Sequence, residues 1–160
     1  MIQTDVIGVD ETIQLLQKKT DALLATVQRE IETSALRTLA DSKRTLTAEG
    51  KRATGRLHNS GKRISKPGEA KVLFDSSYAY FVEHGRRAGK RPPVDEKREG
   101  GQSLMDWVKK RGLASDPKDI KQIAFLIARK IGRTGIKATP FLYPAFMREK
   151  VKLMNRLRKI

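Results

Sequence analysis

From Val9 to Glu49 the chain contains neither proline nor glycine, and apolar residues recur there at three- and four-residue steps. Ile13, Leu16, Thr20, Leu23, Val27, Ile31 and Ser34 follow that period, with Leu24, Ala35 and Leu39 widening the stripe. This is the spacing of one face of an α-helix. Asp10 stands as N-cap, Glu11 meets the helix dipole in the first turn, and Gly50 is the natural stop. The spacing therefore predicts a helix over 10–49. Unbroken, its ~38 residues would run ~57 Å at ~1.5 Å per residue. That is long for a domain this size. Either the helix breaks near Ser34–Leu39, or its outer part packs on a neighbouring chain. The stripe is too irregular for a committed coiled coil. Ahead of it, residues 2–9 read as a short strand, with Val6, Ile7 and Val9 β-branched and Gly8 marking a bulge or turn.

The 160 residues suit one domain, 1–160. Net charge is +16 and unevenly spread. Residues 1–50 carry 6 Lys/Arg against 8 Asp/Glu, a net of −2; residues 51–160 carry 28 against 10, a net of +18. An excess of that size attracts polyanions and acidic partners. Cysteine is absent, which removes disulfides, thiolate zinc sites and cysteine nucleophiles. No apolar run approaches the ~20 residues that cross a bilayer, so no membrane association is expected. The N-terminus lacks the basic and apolar regions of a secretory signal.

Thr54–Ser60 is polar and turn-rich, and His58 reads as a surface histidine. Residues 62–74 read as a β-hairpin, with Pro67 and Gly68 at the central positions of a type II turn. Tyr78–His84 fits a short helix or an irregular strand; on a helix, Tyr78, Phe81 and Val82 share one face. Residues 85–101 read as a flexible basic loop whose densest cations are Arg86, Arg87, Lys90 and Arg91. Residues 103–132 read as a helical insert. Its first helix opens on a capping-box-like Ser103-Leu104-Met105-Asp106; its second opens on Asp116-Pro117 and stops at Gly132. A second basic loop, with Arg133 and Lys137, leads to residues 140–160, which read as a C-terminal helix.

Signatures of chemistry are missing from the sequence. Gly132-Arg133-Thr134-Gly135 lacks the spacing and lysine of a phosphate-binding loop, and neither HExxH nor GxSxG occurs. Glu83-His84 is the one acid–base pair near aromatics, but adjacent residues usually point apart, and catalysis also needs a substrate pocket. The basic half has few, scattered carboxylates for holding metal ions. Zinc-finger, RNP and basic-zipper patterns do not appear. The expectation is a protein without catalytic residues, metal or cofactor. A sequence-independent nucleic-acid-binding protein is the alternative that charge alone supports.

Three blocks carry a resemblance. They are Thr54-Gly55-Arg56-Leu57-His58-Asn59-Ser60, Tyr78-Ala79-Tyr80-Phe81-Val82-Glu83-His84-Gly85, and Ala138-Thr139-Pro140-Phe141-Leu142-Tyr143-Pro144-Ala145-Phe146. In order and spacing they resemble the neck, or tail-completion, proteins of long-tailed double-stranded DNA phages. His84 stands where an aromatic or apolar residue is common there, and Arg86 where a small one is usual. The resemblance implies an α+β fold, a small antiparallel sheet against a long N-terminal and a C-terminal helix, here with a helical insert. It implies a structural virion protein that completes the tail or joins head to tail as a ring subunit, hexameric or dodecameric, around the DNA channel. It would be made in the host cytoplasm and reside at the head–tail junction. Its partners would be head-closure or adaptor proteins, tail terminator or tail-tube proteins, and genomic DNA. Tyr78, Tyr80, Phe81, Gly85, Pro140, Phe141, Pro144 and Phe146 would form the core or the seam between subunits. Arg86, Arg87, Lys90 and Arg91 would be the contact loop for DNA or a partner, facing the lumen or the next ring; Arg133 and Lys137 belong to the second basic loop.

Overall fold

The computed structural model describes residues 9–50, 55–76, 78–95 and 103–160. The strand expected at 2–9 lies outside the described residues except for Val9, which opens the first helix. The elements run α1 (Val9–Ala48), α2 (Arg56–Asn59), β1 (Gly61–Lys66), β2 (Glu69–Phe74), α3 (Ala79–His84), α4 (Leu104–Lys110), α5 (Pro117–Thr134) and α6 (Tyr143–Leu157). The fold is α+β: a long N-terminal helix, one antiparallel hairpin and a C-terminal helix.

α1 does not break. It is one helix of 40 residues, so ~60 Å long at ~1.5 Å per residue. Its second half is buried through small residues: Ser34, Ala35, Thr38 and Ser42. They let α6 and the hairpin approach the helix closely. The Ser42 hydroxyl donates to the Thr38 carbonyl at 2.8 Å, so that polar atom is satisfied within its own helix.

β1 and β2 pair in register from Gly61↔Phe74 to Lys66↔Glu69. Gln28 of α1 holds the turn from both sides. Its Oε1 accepts from Gly68 N–H at 2.7 Å and its Nε2 donates to the Lys66 carbonyl at 3.1 Å. Leu46, Leu57 and Phe141 form the main core, packed on Phe74, Tyr78, Val82 and Leu142. Phe74 meets the Phe141 ring edge-on at 4.9 Å.

A second cluster, Val108, Ile120 and Ala124, joins α4 to α5. α4 begins with the expected capping box: Ser103 Oγ accepts from Asp106 N–H, and Asp106 Oδ2 accepts from Ser103 N–H. α5 begins with Asp116 Oδ1 accepting from Lys118 N–H at 2.8 Å. The Arg111 guanidinium reaches back to the Gly50 carbonyl at 2.7 Å and ties this unit to the end of α1.

The face of α6 against α1 is partly ionic. Glu149 is 2% exposed. It accepts from Arg156 Nη2 at 2.9 Å and lies 3.7 Å from Arg37. Arg156 also donates to Glu30 at 2.6 Å. The Glu149 hydrogen bond raises the Arg156 pKa, burial opposes it, and the Glu30 hydrogen bond adds to it. With the folded value raised, the stabilisation is present below the ordinary arginine pKa. It fades only as pH climbs through the folded value.

Phe141→Ala is expected to lower stability by about 3–5 kcal/mol. At ~2–4 °C per kcal/mol for a chain of this size, Tm falls by about 10 °C. Met147→Ala, on the outer face of α6, should stay within about 0.5 kcal/mol. Thermal melts of the two variants that coincide would sink the placement of Phe141 in the core.

Candidate partner-contact face

Tyr78 closes the last open position of the core, and α3 follows at once. The Tyr78 hydroxyl accepts from Leu57 N–H at 3.1 Å, so the second sequence block is bonded to the first. α3 settles the open choice between helix and strand. Its role becomes plain at the start of α6. That helix has no side-chain cap of its own, and a helix start leaves N–H groups without partners. Glu83 supplies the acceptor. Its Oε2 takes Phe141 N–H at 2.9 Å and Leu142 N–H at 3.0 Å, and its Oε1 takes Tyr143 N–H at 2.9 Å. A carboxylate at that position also faces the positive end of the helix dipole.

Both Glu83 oxygens are thereby engaged by backbone. His84 turns instead to Tyr80, with ring centroids 4.6 Å apart. The pair weighed for acid–base work is thus divided between two structural contacts. The Thr139 N–H donates to the Val82 carbonyl at 2.8 Å and extends the seam between the second and third blocks.

Beyond α3 the backbone turns at Gly85, φ 75° and ψ −175°, a conformation open essentially to glycine. Space forbids a side chain as well: a Cβ there would stand 2.7 Å from the Ile136 carbonyl oxygen and 2.8 Å from Ala138 N. Arg86 and Ile136 then form an antiparallel bridge, with N–H···O distances of 2.9 and 2.8 Å. Gly89 N–H donates to the Gly132 carbonyl at 2.8 Å. The two basic loops, separate in sequence, therefore lie side by side.

The cations divide by role. The Arg86 guanidinium donates to the Lys90 carbonyl at 2.7 Å and lies 5.7 Å from the centre of the Phe81 ring. Arg91 lies 5.9 Å from the Phe125 ring centre. Arg87, Lys90, Arg133 and Lys137 are exposed. Arg133 is not in a loop: α5 passes Gly132 and continues to Thr134, so the stopping glycine is Gly135, three residues after the expected Gly132. Gly132 is a point of close approach, where a Cβ would sit 2.7 Å from Arg91 Cγ. The chain leaves the helix at Gly135. Of the residues read as one basic loop, 85–95 are described and 96–101 lie outside the described residues.

The aromatic and proline signature also divides. Phe141 is buried, and Tyr78 and Pro144 are half-buried. Tyr80, Phe81, Pro140 and Phe146 are exposed, Tyr80 at 66% and Phe146 at 49%. They form surface around the core, and the Glu83 clamp holds that surface in place. Nothing in the sequence points to the clamp: a helix starting at residue 140 would have Thr139 as N-cap and Pro140 at its first position, whereas α6 starts at Tyr143 with Leu142 as its N-cap.

No described helix is long and apolar enough to cross a membrane. Compared with protein-family profiles, curated proteins and solved structures, the chain matches none.

Glu83→Ala leaves three N–H groups without an acceptor and should cost about 2–3 kcal/mol. Gly85→Ala should cost at least about 2 kcal/mol through strain and overlap. Glu69→Ala, which removes a surface ion pair with Lys71, should cost under about 1 kcal/mol. Urea unfolding of the three variants checks the order; Glu83→Ala no worse than Glu69→Ala would remove the clamp from this account.

Proposed function

We propose that this chain is a structural subunit of the phage neck, completing the tail or joining head to tail as one member of a ring around the DNA channel. One observation carries the reading. The three blocks on which the resemblance rests are far apart in sequence, yet they meet as one physical unit. Leu57 from the first, Tyr78 and Val82 from the second, and Phe141 and Leu142 from the third share the main core. Tyr78 bonds the first block to the second, and Glu83 bonds the second to the third. Residues that resemble the family are thus the residues that hold one another in place, as a fold signature should.

The cationic face fits the same role. Arg87, Lys90, Arg133 and Lys137 point no ordered base-reading element outward; they offer charge at the edge of a braced double loop. Phosphate contact of that kind ignores sequence. Repeated around a ring, weak contacts add through multivalency. Head-closure or tail-terminator proteins with acidic rims would meet the same charge.

Electron microscopy of purified virions, with this chain located by labelling, should place it at the head–tail junction. A label absent from the neck overturns the reading. For the contact loop, the double variant Arg87→Ala, Lys90→Ala should weaken binding to random-sequence duplex DNA. It should also make the slope of log affinity against log salt shallower by about 2. An unchanged slope would assign the loop to a protein partner.

A further inference from the structure

α1 leaves its own body behind. Every residue from 10 to 25 is exposed, so about 16 residues, or ~24 Å at ~1.5 Å per residue, project as a bare arm. The stripe that is buried at Ser34, Ala35, Thr38 and Ser42 continues along this arm. There its side chains become large: Ile13, Leu16, Leu23 and Leu24 are all exposed, Leu24 at 61%. The same helix face thus runs from the packed half, where Ile31 and Leu46 join the small residues, onto turns whose large apolar side chains stand in the open. An apolar face that continues past the chain's own core is surface suited to a second contact.

α6 has the reverse problem. Its inner face holds Ala145, Glu149 and Arg156 against α1. Its outer face carries Tyr143, Phe146, Met147, Val151 and Met154, all exposed. On a period of about 3.6 residues these five form one stripe. α6 is 15 residues long, which matches the arm. The net charges of the two segments are opposite: residues 10–25 carry three acidic residues against two lysines, and α6 carries four cations against one glutamate. On the same period Asp10 and Asp21 border one edge of the arm stripe and Lys19 the other, whereas Lys18 lies away from it. Asp21 and Gln17 line one shallow hollow with Ile13, Leu16 and Thr20. On α6, Lys150 lies within the stripe and Arg158 borders it.

We propose that the arm of one copy lies along the outer face of α6 of a second copy. The inner half of α1 already packs against α6 with Glu30 beside Arg156 and Arg37 beside Glu149. The neighbour's arm lies on the opposite side of α6 through apolar contact, so α6 becomes the middle helix of three. The contact joins two different surfaces, so each copy both gives an arm and receives one, and the association propagates head to tail. Closure of that chain of contacts into a ring rests on the neck reading above; the contact itself does not.

The 160 residues contain no cysteine, so single introduced thiols report the contact directly. Leu16→Cys and Met147→Cys are made separately, mixed, and treated with a short bis-maleimide. Both positions are exposed, and circular dichroism checks that each variant is folded. The mixture should form covalent dimers about tenfold faster than a mixture of Leu16→Cys with Leu113→Cys, an exposed position away from both stripes. Adding Leu24→Lys to the arm variant should return the rate to the control. A mixed rate equal to the control overturns the proposal. So does Leu16→Cys alone cross-linking as fast as the mixture, which would set arm against arm. Cross-linking as expected from a protein that is absent from virion necks would keep this contact and remove the ring around DNA.

Discussion

The Glu83 carboxylate is the point on which the molecule turns. Five residues downstream of the core's edge it gathers the three N–H groups that open α6. Without an acceptor there, α6 would begin with unpaired donors beside an apolar core, which is costly. With it, the helix start is fixed directly over Phe141, and the rest of α6 is aimed along α1. Gly85 follows two residues later and lets the backbone swing against residues 136–138. The clamp, the turn and the bridged basic loops are thus consecutive consequences of one short segment.

Packing along α1 works by two different chemistries. Near its C-terminal end the helix meets Leu57, Phe74 and Phe141 through ordinary apolar contact. Along its middle it presents small residues, and the seam with α6 is closed by Glu149, Arg156 and Glu30. Glu149 alone of these groups is fully buried, and its partners Arg156 and Arg37 keep contact with solvent, so the pairs offset the cost of burying one carboxylate more than they add net stability. The other side of α6 carries the exposed stripe Tyr143, Phe146, Met147, Val151 and Met154 together with the exposed Arg148, Lys150 and Lys152.

Much of the local structure was legible in the residues. The length of α1 follows from a long stretch free of Pro and Gly, and the hairpin from Pro67-Gly68. The starts of α4 and α5 follow from Ser103 and Asp116, whose side chains do what the caps predict. The errors have physical causes. Gly132 was read as a stop because glycine commonly ends helices. Here it gives room for Arg91, and the helix ends at Gly135 instead. Tyr78–His84 fits helix or strand alike because a seven-residue segment carries too little period to decide. Its helix is required by the partners of Val82 and Glu83 across the chain.

Caps, turns and apolar periods act over a few residues and leave a mark at fixed spacing, so the long helices and the hairpin are legible in the residue order, whereas the short α2 and α3 are not. The sign of the surface is legible too, because +16 cannot be hidden on a chain this size. Only the tertiary structure decided which carboxylate closes α6, which cations are braced and which stand free, and which apolar stripes remain uncovered. Those facts depend on pairs such as Glu83 and Phe141, 58 residues apart. A contact between residues so distant imposes no period on the residues between them, so nothing in the order of the amino acids announces it.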